Sequence, residues 1–301
     1  MARAASGRSR RRGGRVTCLR YTPMGAHRSD HSARRFAVVI AWEHTVPMAD
    51  WGGASYEQVN ALQRWVADRS LADVSFRGDE QVLDVGCRDG AITARLAERL
   101  TGGEIQGIDA SPRMISVARN LHAGLTFEVG DVLTMRYDSA FDVVTSFNVL
   151  HWVLDQREAY ARIRTALRPG GWALVQFVCG SPRPSLEATA MNVCEQPEWA
   201  ASFGDFEAPF VHPDPGDVLR LIQAVGLEVI SSTVDDLRWD FRSRADFERW
   251  AGAGFGDWTA RVPGREAAFV GEVVSRYSEI TGSDDTLLFM QLRVRMQRPD
   301  A

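Results

Sequence analysis

The sequence predicts an α/β protein built on a doubly wound, mostly parallel, seven-stranded sheet, with helical cap insertions in its second half. Three observations carry that expectation. Short runs rich in Val, Ile, Leu and Phe alternate with segments of helical apolar spacing from residue 55 onward. A glycine turn, VLDVGCRDG at 82–90, joins the first such run to a helical segment. Acids stand near the ends of the first three runs, at Asp84, Asp109 and Asp131, where the carboxyl ends of parallel strands meet a ligand.

The elements follow in order. SYEQVNALQRWVADRSL (55–71) places Val59, Leu62, Trp65, Val66 and Leu71 close to helical spacing, with Ser55 as a cap. EQVLDVG (80–86) reads as a buried strand and AITARLAERL (91–100) as a helix closed by Gly102-Gly103. EIQGIDAS (104–111) is a second strand, and PRMISVARNLHA (112–123) a second helix with Pro112 in its first turn. LTFEVGD (125–131) is a third strand, and FDVVTSFNVLHWV (141–153) a fourth that runs into a loop. DQREAYARIRTAL (155–167) is helical, RPGG (168–171) a turn, and WALVQFV (172–178) a fifth strand. Periodicity is weak over 179–216. A helix, a stop at Gly226 and a strand follow over 216–241, then helices at 243–255 and 264–280 and a last strand at 286–299. Strands alternating with helices at this spacing give a parallel sheet. Residues 48–178 are expected to hold a ligand, and insertions at about 179–215 and 240–284 to cover a substrate.

Composition bounds the function. The chain has 301 residues, enough for one large domain or two small ones. All 35 basic residues are arginine, and the net charge of −4 is unevenly spread. Residues 1–47 hold ten arginines and two acids, whereas 25 arginines face 37 acids from Met48 onward. The acidic body argues against nucleic-acid phosphates as a partner. No apolar run approaches a membrane span. The Arg-, Gly- and Ser-rich start cannot bury enough apolar surface to order itself, so residues 1–47 are expected to be a disordered extension or to precede the true start at Met48. Four cysteines, at 18, 87, 179 and 194, form no CxxC pair, which fits a reducing, cytoplasmic setting. No spaced His/Cys set suggests a metal.

The turn at 82–90 discriminates between ligands. A dinucleotide fingerprint is G-x-G-x-x-G, with pyrophosphate at the helix N-terminus. Here Gly86 and Gly90 enclose Cys87, Arg88 and Asp89. Pyrophosphate sits poorly beside Asp84 and Asp89, while a cationic ligand is favoured there. A nicotinamide-dependent oxidoreductase is therefore the weaker alternative.

Taken together, four stretches over roughly 50–298 resemble class I S-adenosylmethionine-dependent methyltransferases. VLDVGCRDG is similar to the first motif, which implies cofactor contacts at Asp84, Gly86, Cys87 and Gly90. GIDAS resembles the second-strand acid motif and implies that Asp109 holds the ribose hydroxyls, with Ala110 and Met114 beside it. GD at 130–131 resembles the adenine-side motif, with Asp131 near the amino group and Val132 against the ring. FDVVTSFNVLHWV and LRPGGWALV resemble the fourth strand and the turn before the fifth, and Asn148 would reach the cofactor's amino-acid end or cap the loop. The resemblance implies a Rossmann-like methyltransferase fold, S-adenosylmethionine as cofactor and a small-molecule acceptor, with no nucleic-acid or membrane partner.

The leading helix with Trp51 and Tyr56, NVLHWV, and FMQLRVRMQRP are similar in style to the branch of trans-aconitate and juvenile-hormone-acid methyltransferases. The acceptor group would then be a carboxylate or a hydroxyl on an apolar or aromatic compound. Trp51 and Tyr56 would form a lid or anchor the first helix. His151 is the candidate base, with a pKa near neutrality, or it packs the pocket wall. Trp199, Trp239, Trp250 and Trp258 either meet the acceptor or pack a core. Cys87, Cys179 and Cys194 raise an arsenic-methylating variant, against ordinary buried thiols. Arg88 stands where the family usually has glycine. A positive φ there would cost about 1 kcal/mol or more, which keeps a non-catalytic cofactor-binding relic as the main alternative.

Overall fold

A computed structural model of the chain describes residues 53–300, with side chains described from Ala61 onward. The basic extension over 1–47 and Trp51 lie outside the described residues, as does the side chain of Tyr56.

Helix α1 (Gly53–Leu71) buries Leu62, Val66, Ala67 and Leu71 along one face. Strand β1 (Gln81–Val85) is buried over its last four residues, so it reads as an unbroken apolar run apart from Asp84. Helix α2 (Ala91–Ala97) stops three residues short of the expected end, where its last carbonyls close onto Glu98, Arg99 and Leu100. Strand β2 (Glu104–Asp109) leads into α3 (Pro112–Leu121), whose N-cap Ser111 accepts a bond from Met114 N–H at 3.3 Å. Strand β3 (Thr126–Val129) and strand β4 (Phe141–Phe147) follow, and β4 passes into one 3-10 turn at Leu150–Trp152. Helix α4 (Gln156–Ala166) is capped by Asp155 and runs straight into β5 (Leu167–Val178).

The RPGG stretch, expected as a free turn, lies inside β5. Leu167 pairs with Phe141 and Trp172 with Val143, so the residues between them form a bulge against a single residue of β4. Gly170 takes φ +74 there. The segment 179–216 also holds more structure than its weak periodicity implied. It contains α5 (Leu186–Cys194), capped by Ser185, and the short α6 (Ala200–Phe203). Then come α7 (Pro215–Ala224), β6 (Glu228–Asp240), α8 (Arg244–Gly254), α9 (Gly256–Thr259), α10 (Glu266–Thr281) and β7 (Thr286–Gln297).

The strands form one seven-stranded sheet in the order β3-β2-β1-β4-β5-β7-β6. The first five are parallel, and β7 inserts antiparallel to both neighbours, β5 and β6. This is the doubly wound sheet expected. Strand order reverses between β1 and β4, so their carboxyl ends open the crevice where such sheets bind ligands. One buried cluster packs α4 and α7 residues (Tyr160, Ile163, Val218, Ile222) with the sheet, and another packs α1 and α2 with it through Ala67, Leu71 and Leu96. A third joins α5, α8, α9 and α10, with Trp199, Phe247, Trp258 and Phe269 at its centre. Trp199 and Trp258 are 2% and 0% exposed, so core packing accounts for these two tryptophans. Trp239 and Trp250 are partly buried against the same cluster.

Candidate active site

The turn after β1 is held by the end of β2. Gly86 and Cys87 N–H both donate to the Ile108 carbonyl, at 2.7 and 2.9 Å, and Gly90 N–H closes onto the Cys87 carbonyl at 2.9 Å. Gly86, Arg88 and Gly90 all have left-handed backbone, at φ 75, 52 and 79. At Gly86 a Cβ would also lie 2.1 Å from the Val149 side chain. Arg88 keeps the backbone path of a glycine, at a cost of about 1 kcal/mol, and its N–H donates to Asp109 Oδ2 at 2.9 Å. The substitution strains the turn without opening it.

Two buried carboxylates flank the turn. Asp84 accepts hydroxyl bonds from Thr93 at 2.6 Å and Thr145 at 2.9 Å. Burial nevertheless pushes its pKa up to about 6, against the pull of the two hydroxyls and helped by the Asp109 charge. Asp109 takes the N–H of Arg88 on one oxygen and that of Ser111, at 2.8 Å, on the other. Burial raises it as well, opposed by those N–H bonds and by the Arg88 charge. Each oxygen keeps acceptor capacity for a further donor. Ala110 is exposed and Met114 half-buried at the same strand end. Asp131 is exposed and accepts from Leu133 N–H at 2.9 Å, while Val132 is buried in one cluster with Ile108 and Met135.

A cleft of about 390 Å³, counting its open mouth, lies at the carboxyl ends of β1 and β4. Asp84, the turn residues Gly86, Cys87, Arg88 and Asp89, Phe147, and Gln63 and Arg64 of α1 line it. Of the expected residues, Asp84, Gly86 and Cys87 meet in this cleft. Asp109, Ala110, Met114, Asp131 and Val132 lie along the adjoining ends of β2 and β3. Cys87 presents its backbone there, for its side chain is buried with Ile115, Ala118 and Phe127, and burial drives the thiol far up. Cys179 and Cys194 sit in two other clusters, both pushed up to about 12 mainly by burial. The three thiols do not meet, so they form no arsenic-binding triad.

Past β4, Asn148 (φ 56) donates its N–H to the Gln176 carbonyl at 2.7 Å and accepts from Gln291 Nε2 at 2.6 Å on its side-chain oxygen. Its carboxamide oxygen is thus held by β7, and its NH₂ group is the part left for a ligand. His151 is 4% exposed. Its carbonyl accepts from Val211 N–H at 2.8 Å, and its ring lies 5.0 Å from Trp152 and 6.0 Å from His212. Nδ1 is buried with no hydrogen-bond partner among the described residues. Burial, then the nearby His212, holds the imidazole well below its ordinary pKa of 6.5. That corrects the near-neutral value expected. His212 is lowered too, by burial and against the opposing charge of Glu187, whose Oε2 lies 3.8 Å from His212 Nε2. Aromatic rings crowd this corner: Phe210 lies 4.7 Å from His212 and 6.4 Å from Trp152.

Sequence reasoning missed Arg64, Glu187 and His212. Arg64 stands in a correctly read helix, and which surface that helix would cover was not legible. Glu187 and His212 fall in the weakly periodic stretch, and the Val211–His151 bond and ring contacts bring His212, with Glu187 beside it, to the turn after β4.

Comparison with known proteins agrees with this geometry. Residues 77–226 match a family described as a methyltransferase domain. Trans-aconitate 2-methyltransferase of Methylobacterium radiotolerans is 32% identical over 158 residues, covering 52% of this chain and 60% of that protein. The enzyme of the same name from Rhodococcus jostii is 33% identical over 161 residues, covering 53% and 62%. The chain thus spans about three fifths of the length of these curated relatives. Among solved structures, the (4+2)-cyclase SpnF superposes with a TM-score of 0.54 at 21% identity, covering 84% of this chain and 86% of that one. Phosphoethanolamine N-methyltransferase 2 of Haemonchus contortus, in complex with S-adenosylhomocysteine and phosphomonomethylethanolamine, gives 0.53 at 16%, covering 82% and 57%. At those identities the likeness is one of fold.

Proposed function

We propose that the chain is a class I S-adenosylmethionine-dependent methyltransferase, a reading supported by its match to a methyltransferase-domain family over residues 77–226 and by its curated relatives, and that it transfers a methyl group from S-adenosylmethionine to a small-molecule acceptor. The observation that carries this reading is the cleft itself. Its glycine turn is walled by Asp84 and Asp89 and tied to Asp109, carboxylates whose oxygens accept from an ammonium and attract a sulfonium. S-adenosylmethionine supplies a methyl group already activated by positive sulfur.

The residues then have separable tasks. The left-handed backbone at Gly86 and Gly90 lets the turn pack against Val149 and Phe127 and so shapes the cleft. Asp109 holds the ribose hydroxyls through its two oxygens. Asp131 and Val132 bound the adenine end, with Ala110 and Met114 at the rim, and the Asn148 NH₂ group serves the amino-acid end. Methyl transfer needs mainly alignment, with the nucleophile about 3 Å from the methyl carbon. A carboxylate acceptor needs no base, and the names of the curated relatives favour that group. A hydroxyl acceptor would give its proton to the neutral His151 imidazole.

A non-catalytic relic drew its support from Arg88. With the turn closed and Arg88 lining the cleft, that support weakens, although the cyclase neighbour is a reminder that the fold hosts other chemistry. Calorimetric titration of the full chain with S-adenosylhomocysteine and with NADH tests the cofactor. Release of S-adenosylhomocysteine from S-adenosylmethionine, with trans-aconitate, other small acids and phenols as acceptors, tests the transfer. Micromolar binding of the adenosyl ligand alone, with turnover of an acid, is the expected result. Binding of NADH instead, or binding without turnover of any acceptor, contradicts it.

A further inference from the structure

We propose that Arg64 and Arg88 together bind the carboxylate at the amino-acid end of the cofactor, so that the arginine in the glycine turn is a ligand-binding residue. This rests on the cofactor reading above. Both side chains are half-buried and line the same cleft, one from α1 and one from the turn. Neither guanidinium has an ion pair or a side-chain hydrogen bond among the described residues. Neighbouring arginines behave differently: Arg69 pairs with Asp235 and Arg95 with Asp68. A guanidinium is a fixed fork of donors matched to a carboxylate, and two arginines that line one cleft can supply a site for a single anionic group.

The backbone at Arg88 points the same way. A non-glycine residue at φ +52 between two left-handed glycines is strained backbone in the cleft wall, and strain of that kind is frequent at ligand sites. The Arg88 N–H bonds Asp109 and its charge acts on that carboxylate, while its guanidinium makes no hydrogen bond among the described residues. The charge pattern selects the group bound. Asp84 and Asp89 share the cleft with the two arginines, so it holds two carboxylates and two guanidiniums. A zwitterionic amino acid matches that set, ammonium to acids and carboxylate to arginines. A phosphate, with more negative charge and no ammonium, does not.

The test is calorimetry on the full chain with two ligands, S-adenosylhomocysteine and 5′-methylthioadenosine, which share the nucleoside thioether but differ in the amino-acid end. Arg64→Met and Arg88→Gly should each weaken S-adenosylhomocysteine by about tenfold or more, the usual scale for a charge-assisted contact. Both should leave 5′-methylthioadenosine within about twofold of the parent. Because both arginines grip one carboxylate, the double variant should lose less than the product of the single losses. Arg88→Gly relieves left-handed strain, so its melting temperature should not fall, and misfolding cannot account for its loss. Unchanged affinity for S-adenosylhomocysteine, or a parallel loss for both ligands, overturns the proposal while the cofactor reading stands. If the parent chain binds neither ligand, the cofactor reading falls and the proposal with it.

Discussion

An added methyl at Gly86 would lie 2.1 Å from the Val149 side chain, while the backbone there sits at φ 75. Two costs therefore bear on Gly86→Ala: left-handed strain of about 1–2 kcal/mol and overpacking of about 1–3 kcal/mol. The expected loss is about 3 kcal/mol in chemical denaturation, and Val149→Ala in the same chain should restore only some of the steric part, since its Cβ still lies 2.8 Å from the added methyl. Asp84 and His151 make opposite statements about pH. The folded pKa of Asp84 is raised from 3.8 to about 6, so its charge costs stability above about pH 6, and the cost fades as pH falls from there toward 3.8. Asp84→Asn should stabilise the chain at pH 7 by about 1–3 kcal/mol, with the gain vanishing near pH 4, yet weaken cofactor binding. His151 is depressed. Its unfolded form gains a proton below about pH 6.5 that the fold refuses, so stability is intact above that pH and lost as pH falls below it. His212 adds to the same slope. Denaturation midpoints from pH 7 to 5 should fall less steeply in His151→Gln than in the parent.

Elements differ in how much of them the residues announce. β1 and β4 are legible because strands buried on both faces read as apolar runs, and α3 because Pro112 suits a first helical turn. The bulge at RPGG was not legible, since Pro and two glycines suit a turn as well as a kinked strand. The glycine turn was legible down to its residues, including the strain at Arg88. The imidazole pair was not, because His212 stands about sixty residues from His151 and is brought to it by the backbone bond from Val211 N–H to the His151 carbonyl and by ring contact. That bond yields a prediction for the element. Val211→Pro removes the N–H and leaves the buried turn one donor short, for an expected loss of about 1–3 kcal/mol. If the 205–214 segment helps form the acceptor side, acceptor turnover should drop while S-adenosylhomocysteine affinity stays within about twofold.

Across the whole molecule, the sheet order β3-β2-β1-β4-β5-β7-β6 explains why the second half resisted reading. β7 must pair with β5 more than a hundred residues away, and no local pattern encodes its insertion between β5 and β6. The helices between them are anchored by aromatic contacts that are also non-local, such as Trp199 on Phe269 at 5.2 Å. These helices share a buried cluster centred on Trp258, while α4 and α7 pack with the sheet in another. Two clusters of that kind can open separately. Trp258→Ala should cost about 3–5 kcal/mol, and the loss should be local at first. Hydrogen exchange in Trp258→Ala is expected to speed up in α5, α8 and α10 while β1, β2 and β4 stay protected, and S-adenosylhomocysteine affinity is expected to hold within a few-fold. Equal loss of protection in both regions would instead make the molecule one cooperative unit, with the tryptophan cluster as necessary to the cofactor cleft as the sheet itself.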